Sequence, residues 1–312
     1  MTDANRMESL QSLKSRLQAV KNIGQITKAM EVVSATKMRR SQETALNSRP
    51  YAFEALHLLQ KISRNVAGKV TMALAESRPI KKTLIILVSS DRGLAGAFNS
   101  QVFRAAENFL KKGFPYIFIT LGKKAGQFAA KKDWTIIEKF SGWGDHAEIE
   151  EVEPLVSLIN EGFSEKKWDR VVAVSTHFRT TLKQEVLIRQ ILPVDFEKIR
   201  ETVKELAPEH GRWAFLCETM TNDYDKGNDY IFEPSATEAL SILVPHLVRM
   251  QIYHLILEAN ASEHSARMMA MRNASDAATD MISELNLHYN KARQAGITQE
   301  IAEIAGGAAA LG

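Results

Sequence analysis

The chain has one cysteine, Cys217, in 312 residues. A single thiol excludes an intrachain disulfide and a cysteine-rich zinc site, and nothing in the cysteine usage points to secretion. Long apolar runs are missing too. No stretch reaches the roughly 18 consecutive apolar residues of a membrane-spanning helix, and the longest candidate, Leu84 to Val88, has the length of a strand. The opening MTDANRMESL carries no apolar signal core and no Arg/Ser-rich leader. The expectation is a protein of a cytosol-like compartment that meets membranes only peripherally. Aromatics are 7% of the chain and absent from residues 1–50. That leaves no stacking platform for nucleic acid on the basic N-terminal segment.

What remains is ordinary globular material: 45% hydrophobic and 25% charged residues. Such a composition excludes a mainly disordered chain, and the length suggests about two domains. The charge is uneven. Residues 1–50 hold nine bases against four acids, a net +5, whereas the whole chain is +3. A basic first segment suggests an acidic partner surface or a polyanion.

No proline interrupts residues 6–49, and apolar residues recur at Leu10, Leu13, Leu17, Val20, Ile23, Ile26, Met30 and Val33. Steps of three and four predict one long helix over residues 6 to about 57, with an interrupted heptad. The C-terminal part is more regular. Steps of three and four alternate from Leu240 through His254, Ala261, His264, Ser275, Ala278 and Ile282 to Tyr289 and Ala292. A sustained period of 3.5 predicts a left-handed supercoil with another helix. Ser235 and Glu238 have capping-box spacing at its start, and Pro245 predicts a kink or break. Small and polar seam residues bury little apolar area, so the coil should be weak by itself.

The middle differs. TLIILVSS (83–90), YIFITL (116–121) and RVVAVST (170–176) are β-rich runs separated by amphipathic stretches around 97–112, 122–132 and 147–163. That alternation predicts a parallel sheet covered on both faces, with VLIRQIL (186–192) as a further, edge strand. The expected organisation is an N-terminal coiled-coil helix over 1–60, a Rossmann-like α/β domain over 80–195, a loop-rich connection over 196–233 and a C-terminal coiled-coil helix over 234–312. The fold class is an α/β insert plus a long antiparallel coiled coil of the two terminal helices.

Ser90-Asp91-Arg92-Gly93-Leu94-Ala95-Gly96 follows the first strand, where open α/β sheets often bind ligands. It lacks both G-x-G-x-x-G and the Lys-Ser/Thr ending of a P-loop, so a tight strand-to-helix turn is the favoured reading over a phosphate loop. His254 and His264 read as packing residues, since no metal-ligand spacing accompanies them. The acidic run Glu148, Glu150, Glu151 and Glu153 reads as a solvated helix face. Lys37, Arg39 and Arg40 are either a solvated face or a docking patch. IAEIAGGAAAL (301–311) would suit a smooth apolar sleeve or a frayed end.

Three motifs carry a resemblance to the gamma-subunit family of F-type ATP synthases, in a bacterial-length form. They are ITKAMEVVSATKMRR (26–40), SDRGLAGAFN (90–99) and ASEHSARMMAM (261–271), the last continuing to YNKARQ (289–294) and ITQE (297–300). The resemblance covers essentially the whole chain. It implies a noncatalytic central-stalk rotor subunit, encircled by three alpha and three beta subunits, resting on the membrane c-ring and carrying epsilon. Proton flow through the ring would turn it, and catalysis, nucleotide and metal would belong to the neighbours. It implies no cofactor, no nucleic acid, and a peripheral place on the cytoplasmic face of a bacterial inner membrane. By the motif match, Met30, Arg267, Gln294, Thr298, Glu300, Ile301 and Leu311 would contact the alpha/beta ring. Lys37, Arg39, Arg40, Asp229 and Tyr230 would lie toward the foot and c-ring. Ala95 and Ala97 replace the Cys or Gly common in the family turn, 138–150 and 205–229 look long, and Cys217 alone cannot form the thiol switch of plastid members. Two other classes compete. A nucleotide-binding enzyme would use Gly93–Gly96, and a basic adaptor would bind polyanions with steep salt dependence.

Overall fold

The computed structural model describes residues 10–65, 74–111, 113–143, 147–194, 233 and 235–311. The expected connection over 196–233, with Cys217, Asp229 and Tyr230, therefore lies almost wholly outside the described residues. The chain divides into two units: Thr36–Ala266, and Met1–Ala35 with Arg267–Gly312. Two helices contribute to both, α1 (Leu10–Asn65) and α5 (Ala236–Leu311).

Thr36–Ala266 is built on strands β1 (Thr83–Val88), β2 (Tyr116–Leu121), β3 (Ile136–Phe140), β4 (Arg170–Phe178) and β5 (Gln184–Leu192). Helices α2 (Phe98–Leu110), α3 (Lys123–Lys131) and α4 (Glu153–Ser164) connect the first four strands. The sheet order is β3-β2-β1-β4-β5. The first four strands are parallel and β5 is antiparallel to β4. β1 is apolar almost throughout because both of its faces are covered. Its side chains alternate between two cores: Leu84, Ile86 and Val88 join the cluster with α4 and α5, while Ile85 and Leu87 join the one with α2. Phe118 and Trp134 stack at 4.5 Å in the second core.

β3 was not expected. Ile136–Phe140 is a short edge with three exposed central residues and a register shift against β2, which hides its strand character. Lys81 and Lys82 N–H and the Arg78 guanidinium all donate to Asp169 at the start of β4. Partial burial pushes that carboxyl up, but these donors outweigh it and hold it below the usual carboxylate range.

α5 begins as the capping-box spacing predicts, with Glu238 N–H donating to Ser235 Oγ at 3.2 Å. It runs unbroken through Pro245, so the expected break is absent. One correction concerns its one-sided seam. From residue 252 to residue 265 every residue is buried. Here α5 is a core helix enclosed on all sides, not a coil with a wet outer face. Although part of α5 is apolar enough to cross a membrane by length and composition, most of that window is packed inside the protein.

In the other unit, the terminal helices run antiparallel. An added Cβ at Gly24 would sit 3.4 Å from Ala278 Cβ, and one at Gly296 would sit 3.8 Å from Leu10. On α5 the shielded stripe is Met271, Ser275, Ala278, Ile282, Leu285, Tyr289 and Ala292, as its period predicts. On α1 the expected stripe departs beyond Val20 at Ile23, Ile26 and Val33. The shielded positions there are Leu13, Leu17, Val20, Gly24, Thr27, Met30, Glu31 and Ser34. Ile23, Ile26 and Val33 are instead 53%, 59% and 52% exposed. Each step of three residues falls about 60° short of a full turn, so repeated threes carry the apolar series around the helix and off the seam.

Candidate functional surfaces

The Ser90–Gly96 turn is the natural place for a ligand in such a sheet, and its first residues are tied to the head of α3. Three N–H groups at the start of α3 need partners. Lys123 N–H donates to Asp91 Oδ1 at 2.9 Å, Lys124 N–H to Ser90 O at 3.1 Å, and Ala125 N–H to Ser89 Oγ at 2.6 Å. Asp91 Oδ2 takes Gly142 N–H at 2.8 Å. Ser90 is locked in turn, its N–H donating to Asn99 Oδ1 and its hydroxyl to Arg92 O. Gly122 precedes α3 with φ of 93°, and an added Cβ would overlap Ser89's carbonyl. The amides at the head of α3 are therefore already committed to the chain. Ser90 and Asp91 thus staple the turn to α3 and to the segment after β3.

Sequence reasoning missed a buried polar cluster on α5. Glu258 Oε2 lies 3.0 Å from His177 Nδ1 of β4 and accepts from Arg189 Nη1 of β5 at 2.8 Å. Arg189 Nη2 is 3.1 Å from His177 Nδ1, which closes a triangle. Burial pushes Glu258 up, but the His177 hydrogen bond and the Arg189 charge outweigh it and hold the carboxyl low. Two turns on, Ser265 Oγ donates to Thr181 O at 2.8 Å and accepts from Gln184 Nε2 at 3.3 Å. Asn260 Nδ2 donates to Trp143 O at 2.7 Å. The only hint in sequence is polar residues occupying a helix of otherwise apolar period.

The helical pair has a third surface, its outside. Of the sixteen large apolar side chains exposed among the described residues, ten belong to this unit, including Ile23, Ile26, Val33, Leu287, Ile297 and Ile304. Apolar exposure this concentrated is unusual for a surface left in water.

The expected contact residues fall as follows. Met30 is half-buried and Arg267 is buried, while Gln294, Thr298 and Glu300 are exposed. Ile301 is 61% exposed, and α5 remains helical to Leu311. In the α/β unit, Arg39 pairs with Glu43 at 3.1 Å on an exposed face beside exposed Arg40, and Lys37 is half-buried. Asp229 and Tyr230 lie outside the described residues. The acidic run is exposed as expected, but only Glu153 belongs to α4, where it accepts from Arg249 Nη1 at 2.7 Å. His254 and His264 are buried, and no metal-ligating cluster occurs among the described residues.

A family model described as ATP synthase matches residues 9–311. The ATP synthase gamma chain of Roseiflexus castenholzii is 37% identical over 310 residues, covering 98% of this chain and 99% of the relative. That of Trichlorobacter lovleyi is 38% identical over 309 residues, with the same coverages. Among solved structures, a chain of the Euglena gracilis mitochondrial ATP synthase, OSCP/F1/c-ring, aligns over 97% of this chain and 94% of its own length. Its TM-score is 0.61 at 19% identity. A chain of the Tetrahymena thermophila central stalk and c-ring aligns over 80% of this chain and 99% of its own, with a TM-score of 0.58 at 21% identity. These two likenesses concern the fold.

Proposed function

The chain belongs to the ATP synthase gamma-chain family, and we propose that it works as the central-stalk rotor of that enzyme. The antiparallel helical pair serves as the shaft inside a ring of three alpha and three beta subunits. The α/β unit stands toward the c-ring and carries epsilon. The chain itself performs no nucleotide chemistry. It sits peripherally at the membrane, on the cytoplasmic face of a bacterial inner membrane, and touches lipid only through the ring.

The observation that carries this reading is the apolar outside of the helical pair. Its seam sets Gly24, Thr27, Ser34, Ser275 and Ala278 among larger residues such as Leu13, Met271 and Leu285, so the pair gains less from its own packing than an all-apolar zipper would. The large side chains Ile23, Ile26, Ile297 and Ile304 face outward instead. A surrounding collar would shield them. Spread-out apolar contacts are non-directional, so they let a shaft turn without locking at one angle. Within that collar we assign ring contacts to Met30, Arg267, Gln294, Thr298, Glu300, Ile301 and Leu311. We assign the foot to Lys37, Arg39, Arg40, Asp229 and Tyr230.

A native pull-down with this chain, read by mass spectrometry, should recover alpha and beta subunits, and the isolated chain should not hydrolyse ATP. Recovery of neither subunit would overturn the reading. Ile23→Ser/Ile26→Ser in the assembled enzyme should lower coupled ATP synthesis while leaving the fold of the isolated chain intact. Removing residues 303–312 should reduce torque only modestly. A loss as large as deleting the whole C-terminal helix would contradict distributed contact.

A further inference from the structure

A helix buried on every side is normally apolar on every side. Between residues 252 and 265 of α5, seven of fourteen buried residues are polar or charged: His254, Glu258, Asn260, Ser262, Glu263, His264 and Ser265. An all-apolar seat would hold such a helix in place but would resist turning poorly, because apolar contact has no preferred direction. Hydrogen bonds and ion pairs do have one.

The bonds are placed to use it. At 100° per residue, Glu258 and Ser265 point within about 20° of each other, and Asn260 points about 160° away. Glu258 and Ser265 meet β4, β5 and the hairpin between them, while Asn260 meets the Trp143 carbonyl beyond β3. Directional bonds thus grip opposite flanks of one helix. Bonds on a single flank would act as a hinge, whereas bonds on two opposed flanks form a couple that opposes rotation about the helix axis.

We propose that the α/β unit keys α5 against turning about its own axis, with Glu258 as the positioning residue on one flank and Asn260 on the other. This rests on the rotor reading above. A subunit that carries torque must not let its long helix slip inside the unit that grips it. A buried ion cluster contributes little net stability compared with well-packed apolar residues of similar size. Its value here lies in angular setting.

The test uses the complete ATP synthase in vesicles, carrying Arg189→Met/Glu258→Met, Glu258→Gln or Asn260→Leu. Three quantities are read: assembled complex, uncoupled ATP hydrolysis, and ATP synthesis driven by an imposed proton gradient. The Met pair keeps apolar volume and should assemble. Its synthesis under load should fall about fivefold or more relative to its uncoupled hydrolysis. Glu258→Gln keeps an acceptor in place and should recover part of that ratio. Asn260→Leu, on the other flank, should lower it independently. If synthesis and hydrolysis fall together in step with assembled complex, the residues act only in folding and the proposal is overturned. A wild-type ratio in the assembled Met variant overturns it equally. Failure of the wild-type chain to assemble with alpha and beta would instead refute the rotor reading.

Discussion

Along α5, residues 252–265 and residues 271–292 are held in opposite ways. The first stretch is enclosed on all sides and bonded through Glu258, Asn260 and Ser265 to groups far away in sequence. The second is shielded along one stripe and bonded to little but itself, with Thr279 and Ser283 hydroxyls returning to carbonyls one turn back. Polar residues are common in both. In the enclosed stretch Glu258, Asn260 and Ser265 have fixed partners. In the paired stretch they thin the seam, while large groups such as Met281 and Leu287 stay outside it. Position comes from directional bonds, and readiness for a partner comes from apolar side chains left over.

The contrast can be broken most forcefully in the sheet. Leu84→Ala should cost about 2–5 kcal/mol, because the walls around β1 cannot collapse into the gap. Leu285→Ala, in a two-helix seam open to solvent, should cost about 2 kcal/mol or less. Urea unfolding followed by circular dichroism checks both, and an equal loss would erase the distinction. Next in size, Gly122→Ala forces a β-carbon into a carbonyl at a positive φ and should cost about 2–3 kcal/mol.

Acid should separate the regions more gently. The Asp169 and Glu258 carboxyls are held below the usual range in the folded protein. The stability they confer is present above their unfolded values and is lost as pH falls through and below the ordinary carboxylate range. Urea midpoints measured downward from neutral pH should decline accordingly, and Asp169→Asn should flatten the decline. Pairs of the helical unit with a solvent-exposed partner, such as Lys28–Glu31 at 2.9 Å, should add little to that slope. Smallest of all, Gly24→Ala should stabilise by up to about 1 kcal/mol through helix propensity, since its β-carbon meets Ala278 at ordinary contact distance. A loss there would mean that the helices pack too closely for even one methyl.

Most of this architecture was legible because continuous apolar runs and a 3.5 period are strong local signals. β1, β2, β4 and the α5 stripe beyond Met271 follow directly from them. β3 escaped because Glu138 and Lys139 face water on a sheet edge, where charge masks the alternation. The α1 seam was misread because Ile23, Ile26 and Val33 look like core by type, whereas their place is decided by where the partner helix lies. The Glu258 cluster could not be read at all. His177 and Arg189 are 81 and 69 residues distant from Glu258 in sequence. In the β4–β5 register they face Glu185 and Ala173, so only the reach of the Arg189 side chain along the sheet brings them together.

Ser89, Ser90 and Asp91 together occupy the donors at the head of α3. A helix N-terminus with open amides would otherwise offer phosphate groups a resting place. With Lys123, Lys124 and Ala125 N–H bonded from within, the head of α3 turns those donors to holding the sheet together rather than to an anion.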